Sequence, residues 1–335
     1  MQVSIIIPVY NVETYIEKCL QSVADQTFNG EMECLIIDDC GQDNSMNIVE
    51  KFIQAYNTTT HPNPIEFRIL HHSHNRGLSA ARNTGIDNAK GDWIYFIDSD
   101  DWIIPKCIEL MYECVKKHPD AELIHAGANA TWGHEYMSIK DRKDLPEYAN
   151  NKEWISQMLF RIWVTAWNNL IRKDFIIKYN LHFIEGMKHE DEIWTYDLSL
   201  CSSILCFCFF DTYIYLWREN SIMNELNDIN GSLSSYCKVW NKEIDHLAVA
   251  NESRPWFIKK IWHHIFHFYD EKCNFITRWK VRNILWRLAS HSNWKMGIAI
   301  IMSSTLTNTF IDKYLYRRFI FGQLLWEAPK CEPII

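Results

Sequence analysis

With 335 residues, 47% of them hydrophobic and 23% charged, the chain has a globular composition, and it contains no polar low-complexity tract that would argue for disorder. Its eleven cysteines include no CxxC pair and no Cys/His grouping at tetrahedral-zinc spacing, so neither a redox motif nor a structural zinc is signalled; with no signal peptide ahead of them they fit a reducing cytoplasm. The net charge of −8 is uneven: residues 1–252 carry 21 basic and 37 acidic side chains, residues 253–335 carry 13 and 5, and two surfaces with different partners are expected.

Residues 3–7 form an apolar run that Pro8 ends, far short of the ~18 residues a spanning helix needs, and they read as a first strand. Residues 33–38, 67–71 and 93–98 read as further strands, and residues 12–22, 44–56 and 79–88 carry apolar side chains at helical spacing. The alternation β-α-β-α-β-α-β predicts a doubly wound, mostly parallel sheet with ligands at the carboxyl ends of its strands. Residues 105–117 are expected to be helical and 122–126 extended, with a polar loop to about residue 152. Residues 154–174 look like one helix. Residues 199–215 look like a strand-rich closing segment whose Cys201, Cys206 and Cys208 are core thiols. Beyond about residue 230 the pattern is helical, which places an α/β domain over 1–228 and a helical, basic, Trp-rich region over 229–335.

Acidic residues gather at the expected strand ends. Asp38-Asp39 follows the second strand, where a ligand carrying donors would offset the cost of placing carboxylates together; the plainer reading is that Asp39 or Asp43 caps the next helix. Asp98-Ser99-Asp100-Asp101 follows the fourth strand, and three carboxylates in four residues repel one another unless a hard cation such as Mg²⁺ or Mn²⁺ bridges them to a diphosphate. Glu190-Asp191-Glu192 fits an acidic first helical turn or a carboxylate tuned for proton transfer. His71, His72 and His74 invite a metal reading, but no carboxylate partner is fixed by spacing, and they read as partly exposed structural residues.

The run Val3-Ser4-Ile5-Ile6-Ile7-Pro8-Val9-Tyr10-Asn11, the Asp38-Asp39 pair, Asn75-Arg76-Gly77-Leu78-Ser79-Ala80-Ala81-Arg82-Asn83-Thr84-Gly85 and Asp98-Ser99-Asp100-Asp101 together resemble glycosyltransferase family 2. The resemblance continues through Glu185-Gly186-Met187-Lys188-His189-Glu190-Asp191-Glu192, similar to the family's "ED" motif, and Arg218 to Ser221, similar to its phosphate-contacting segment. It covers roughly the first two thirds of the chain and implies a GT-A fold, an αβα sandwich, to which the pattern beyond residue 229 adds a helical C-terminal region, and an inverting, metal-dependent transfer of sugar from a nucleotide donor such as a UDP-sugar to an acceptor hydroxyl on a growing glycan; a lipid-linked saccharide acceptor is expected from the composition of the tail alone. By this resemblance Pro8, Tyr10 and Glu13 cradle the uracil or ribose, and Asp39 hydrogen-bonds the base. Asp98, Ser99 and Asp100 form the DxD motif, with Asp98 on the ribose and Asp100 on Mg²⁺ or Mn²⁺. Arg82 pairs with Asp98 or reaches the diphosphate, Arg218 contacts phosphate, and Asp191 is the general base. One departure is Asn169, where the family usually has Lys; the close spacing of Trp217-Arg218 and Ser221 is another. A sugar-nucleotide pyrophosphorylase is disfavoured because no glycine-rich loop follows the first strand. A nucleotide-binding partner subunit without turnover is the remaining alternative.

The tail interleaves Trp256, Trp262, Trp279, Trp286, Trp294 and Trp326 with Lys and Arg, a composition that suits either an ordinary helical subdomain or peripheral contact of residues 254–335 with the inner face of the cell membrane. Nucleic acid is not expected, since no recognisable binding module accompanies the basic residues.

Overall fold

The computed structural model describes residues 1–131, 137–162, 164–217, 229–247, 256–258, 260–262, 265, 275–292, 296 and 300. The chain divides into two compact units, Met1–Glu219 and Asn220–Ile335.

In the first unit β1 (Val3–Val9) is buried at every position and pairs in parallel with β2 (Met32–Asp38) and β4 (Trp93–Phe96); β2 pairs in parallel with β3 (Ile65–His71). The crossovers are α1 (Ile16–Ala24), α2 (Ser45–Asn57) and α3 (Leu78–Asn88). The chain builds outward from β1 through β2 to β3 and then returns to lay β4 on the other side of β1. That reversal leaves a crevice at the carboxyl ends of β1 and β4, where ligands of such sheets bind. Pro8 is tolerated inside β1 because it has the same parity as Ile6, whose carbonyl accepts from Ile97 of the β4 segment; the β1–β4 pairing ends at Phe96, so no ladder bond is lost.

The sheet then becomes mixed. After β5 (Trp102–Ile103) and α4 (Cys107–Lys117) come β6 (Leu123–Ala130), β7 (Tyr148–Ala149), α5 (Lys152–Ile162), β8 (Asn169–Arg172), α6 (Lys173–Tyr179), α7 (Glu190–Cys201) and β9 (Leu205–Tyr215). Among the described residues the sheet has nine strands in the order β3-β2-β1-β4-β8-β6-β9-β5, with β7 on β9. Alternate strand residues feed two layers. Ile5, Ile7 and Ile36 pack with Cys19 and Leu20 of α1, Val49 of α2 and Met111 of α4, while Ile6 and Leu35 pack with Ala81 of α3, Ile155 of α5, Ile176 of α6 and Trp194 of α7. This is the expected αβα sandwich.

Several local expectations change. The single helix expected over 154–174 is α5, a turn, β8 and the start of α6. Asn168 takes a left-handed φ of 57°, and β8 is captured as an antiparallel strand between β4 and β6, so sheet pairing overrides helical spacing. The helix expected from residue 12 begins at Ile16, because Asn11 also turns left-handed at φ 53°. The segment expected to be strand-rich from 199 opens with the last turn of α7, and within it Cys206 and Cys208 are buried while Cys201 is half-buried. β5 and β7 fall in stretches where two-residue strands leave no sequence signature.

The second unit is helical where it is described: α8 (Ile229–His246), helical residues at 256–258 and 260–262, and a helix over Phe275–Ser290. Trp240 and Trp262 are fully buried in it, as is Glu243, whose Oε1 pairs with Lys260 Nζ at 2.5 Å.

Opposite the crevice, Glu33 of β2 is completely buried and accepts from Ser4 Oγ (2.6 Å), Arg68 Nη1 (2.6 Å) and the Lys90 N–H (2.5 Å), tying three strands to the α3–β4 turn. Burial pushes the Glu33 carboxyl up, but these donors outweigh it and hold the pKa below the ordinary value. Its stabilisation is therefore present above the usual glutamate pKa and lost as pH falls through the depressed folded value. Glu33→Leu leaves the Ser4 and Lys90 donors without their acceptor and Arg68 with only the Asn88 carbonyl, and should destabilise the first unit by ~3 kcal/mol in urea titrations at neutral pH, with the difference from wild type shrinking at acid pH.

Candidate active site

Four loops meet at the carboxyl edge of the parallel strands. In the first pair, Asn11 Oδ1 accepts the Gln42 N–H at 2.7 Å, and a Cβ at Gly41 would lie 2.9 Å from Asn11 N, so only glycine allows this approach. Asp43 Oδ2 accepts the Glu13 N–H (2.8 Å) and Glu13 Oε2 accepts the Asn44 N–H (2.8 Å), a reciprocal clasp between the two loops. Asp43 Oδ1 also accepts from Ser45 N and Oγ, so Asp43 holds the first residue of α2 from one position outside the N-cap, which is Asn44. Burial raises its pKa, but the Ser45 and Glu13 donors bring it below the ordinary aspartate value. Tyr10 stands on the rim with 45% of its surface exposed.

Asp39 caps nothing on α2. It is buried and turned toward the 72–77 loop, where Oδ1 accepts the Arg76 N–H (2.8 Å), Oδ2 accepts the Gly77 N–H (2.8 Å), and His72 Nδ1 lies 2.6 Å from Oδ1. His72 Nε2 is 2.9 Å from Thr84 Oγ1 of α3. Gly77 enters α3 at φ 88°, a conformation that favours glycine. His72 is thus a buried link rather than a partly exposed residue, and its carboxylate partner follows from the β2–β3 register: Asp38 lies opposite His71, so the next pair, Asp39 and His72, also meet.

The turn after β4 sorts its carboxylates. Asp101 is 1% exposed and accepts from Tyr213 Oη (2.6 Å) and the Leu216 N–H (2.7 Å), both at the end of β9. Burial first, and then the nearby Asp100 and Asp98 charges, push its pKa well above the aspartate range. Asp98 and Asp100 stay partly exposed and Ser99 is buried between them. Asp98 Oδ1 accepts from Arg82 Nη2 at 2.8 Å, one of the two contacts expected of Arg82.

Arg82 also donates from Nη1 to Glu190 Oε1 at 2.6 Å. It is 3% exposed, and its guanidinium carbon lies 5.2 Å from the centroid of the Phe183 ring, which stacks on Trp194 of α7 at 4.7 Å. Burial works against the charge, but Asp98 and Glu190 raise the guanidinium pKa above its ordinary value. Asn83, the next residue of α3, exchanges two hydrogen bonds with the backbone of Phe183 (2.9 and 2.8 Å). One turn of α3 therefore holds the segment that leads, through left-handed Gly186 and His189, into α7. There Asp191 keeps part of its surface in solvent and its Oδ1 accepts the Glu192 N–H at 3.0 Å. Burial, followed by the Glu190 and Glu192 charges, raises its pKa well above the aspartate range, while Arg82 opposes the shift.

Asn169 is buried, with Oδ1 2.8 Å from His125 Nδ1 and Nδ2 donating to the Thr165 and Trp167 carbonyls, so this position closes a turn where the family usually carries a cation. Arg218 lies outside the described residues. Among the described residues no group of three or more His, Cys, Asp or Glu side chains is arranged to hold a metal ion alone. The Tyr213 and Leu216 anchor of Asp101 was not anticipated, since partners more than a hundred residues away leave no local signal. The Glu190–Arg82 link lay inside two recognised motifs whose contact the sequence does not display.

A nucleotide-type crevice, a DxD turn and an acidic helix start define a sugar-nucleotide transferase architecture of the GT-A kind. Residues 4–169, about half of the chain, match the sequence model described as Glycosyl transferase family 2, and this stretch is a domain of that family. It is 32% identical over 202 residues to the uncharacterized glycosyltransferase YibD of Escherichia coli (strain K12), covering 58% of this chain and 55% of that one, so the chain spans about half the length of that relative. At 23% identity, the similarity to the cholesterol galactosyltransferase of Borreliella burgdorferi (strain ATCC 35210 / DSM 4680 / CIP 102532 / B31) covers 96% of this chain and 89% of that one. The fold is shared with the solved structure of S. aureus TarS 1–349 in complex with UDP-GlcNAc, at a TM-score of 0.68 and 19% identity over 90% of this chain and 84% of that one.

Arg82→Met removes the charge that Asp98 and Glu190 share while keeping most of the apolar volume. It should cost ~3 kcal/mol of stability in the first unit, because two carboxylates lose their buried partner; thermal and urea unfolding would measure this, and a cost below ~1 kcal/mol would show that the clamp is not a structural support.

Proposed function

We propose that the chain is an inverting glycosyltransferase that moves a sugar from a nucleotide-sugar donor, a UDP-sugar, to a hydroxyl on a growing glycan or lipid-linked saccharide. The observation that carries this reading is the Asp98–Arg82–Glu190 bridge, which brings the turn after β4 and the helix start that presents Asp191 to one place. The UDP-GlcNAc complex of the shared fold supports a UDP-sugar donor, and the relative named for a cholesterol acceptor supports a lipid-type acceptor.

On this reading Pro8, Tyr10 and Glu13 line the base and ribose side, and Asp39, which already accepts three internal donors, offers its remaining lone pair on Oδ2 to a base N–H. Asp98 and Ser99 face the ribose and Arg218 the phosphates. The donor set fits a hard divalent ion: Asp101 is withdrawn into the core, leaving Asp98 and Asp100, and Mg²⁺ is commonly held by one or two carboxylates plus phosphate oxygens. Mg²⁺ or Mn²⁺ on Asp100 would offset the charge that develops on the leaving diphosphate. Asp191 takes the proton from the attacking hydroxyl, and the raised pKa that burial and its acidic neighbours give it makes it a stronger base than an exposed aspartate. Arg82 holds Glu190, and through it the first turn of α7, in register with the donor turn.

Incubation with a panel of UDP- and GDP-sugars, with and without Mg²⁺ or Mn²⁺, should release one nucleoside diphosphate in a metal-dependent way. Asp191→Asn should lower kcat by ~10²–10⁴ with donor binding retained, and Asp100→Ala should abolish the metal dependence. In the wild type kcat should fall on acidification through a pKa well above the usual aspartate value, since the base must be ionised to act. Metal-dependent UDP binding with no release from any donor, acceptors included, would replace this reading with that of a nucleotide-binding partner subunit.

A further inference from the structure

The helix Phe275–Ser290 of the second unit carries an exposed apolar stripe flanked by cations. Val281, Ile284, Leu285, Leu288 and Ala289 are buried along one side, and the helix is tied to α8 by Arg287, which pairs with Asp245 at 2.6 Å and bonds Asn241, and by Lys280, 3.4 Å from Ser234 Oγ. On the far side Ile276, Trp279 and Trp286 are 64%, 58% and 49% exposed. Among the described residues seven large hydrophobic side chains are exposed, and three of them fall on this one helix. At helical spacing, positions 276, 279, 283 and 286 lie within about 80° of one another, opposite the buried side. Exposed Lys280 and Arg287 border this stripe on one flank and exposed Arg282 on the other. The helix has four basic residues, Arg278 included, and no acidic one.

We propose that this face docks on an anionic phospholipid surface, with the helix lying in the plane of the interface. Two tryptophans seat at headgroup depth, where an amphipathic ring is best accommodated, and Arg282 on one flank and Lys280 on the other meet lipid phosphate, while Arg287 stays paired with Asp245. A protein partner covering the stripe would have to desolvate Lys280, Arg282 and Arg287 at its edges, whereas the polar side of a bilayer supplies counter-charge at the depth where they stand. Among the described residues no helix is long and apolar enough to cross a membrane.

Flotation of the full chain with vesicles tests the docking. Wild type should rise with phosphatidylcholine mixed with phosphatidylglycerol and stay down with phosphatidylcholine alone. Arg282→Gln should weaken partition about fivefold, the effect of one cation near a charged surface. The double variant Trp279→Ala/Trp286→Ala should stay down while keeping the wild-type melting curve, since both rings are exposed. Failure of wild type to float, or equal flotation of the double variant, overturns the proposal. So does a lowered melting temperature in the double variant, which would mean that the chain itself covers the stripe. A concentration-dependent dimer in light scattering that the double variant loses, without vesicle binding, would assign the face to a second copy instead.

Discussion

The buried guanidinium of Arg82 is the interaction on which the geometry of the candidate site depends. A charge 3% exposed persists only with partners, and Asp98 and Glu190 supply them from two elements far apart in sequence. The clamp works because α3 is itself fixed. Gly85 lies so close to β1 that a Cβ would meet Ile6 Cγ2 at 2.4 Å, and the Gly77 N–H that starts the helix is held by Asp39. The sheet thus sets the position of α3, α3 sets the position of Arg82, and Arg82 joins the turn after β4 to the start of α7.

The acidic residues at this edge share a residue type and divide by environment. Asp39, Asp43 and Asp101 are satisfied by backbone N–H groups and hydroxyls of neighbouring loops, and they stitch those loops together. Asp98, paired with Arg82, together with Asp100 and Asp191 retains solvent contact, as Asp43 does at the edge of its clasp. Like charges crowded into one crevice would repel without this division. Withdrawing Asp101 onto Tyr213 leaves two partly exposed carboxylates on the turn, the number suited to an ion that also takes phosphate oxygens.

Much of the fold was legible because local and global preferences agree in the first hundred residues. β-branched runs there become central parallel strands, and amphipathic stretches become the helices that cover them. Legibility fails at 154–174, where helical spacing competes with a vacancy in the sheet between β4 and β6; the strand pairing that wins is a non-local interaction with no trace in a short window. The same holds for the site. The Asp98–Asp100 turn and the Glu190–Asp191 pair were readable as acidic clusters at element ends, but the residue that unites them belongs to a third motif.

By itself the sequence determined the order of strands and helices over the first hundred residues, the resemblance to the family, and which side chains are candidates for the chemistry, since periodicity and motif spacing are properties of the chain alone. Only the tertiary structure decided which carboxylates are spent on structure and which face the crevice, because burial and donor count depend on what packs alongside. Nothing near Asp101 marks it as internal until Tyr213 arrives from β9, and nothing near Glu190 marks it as a partner of Arg82 until α7 packs beside α3.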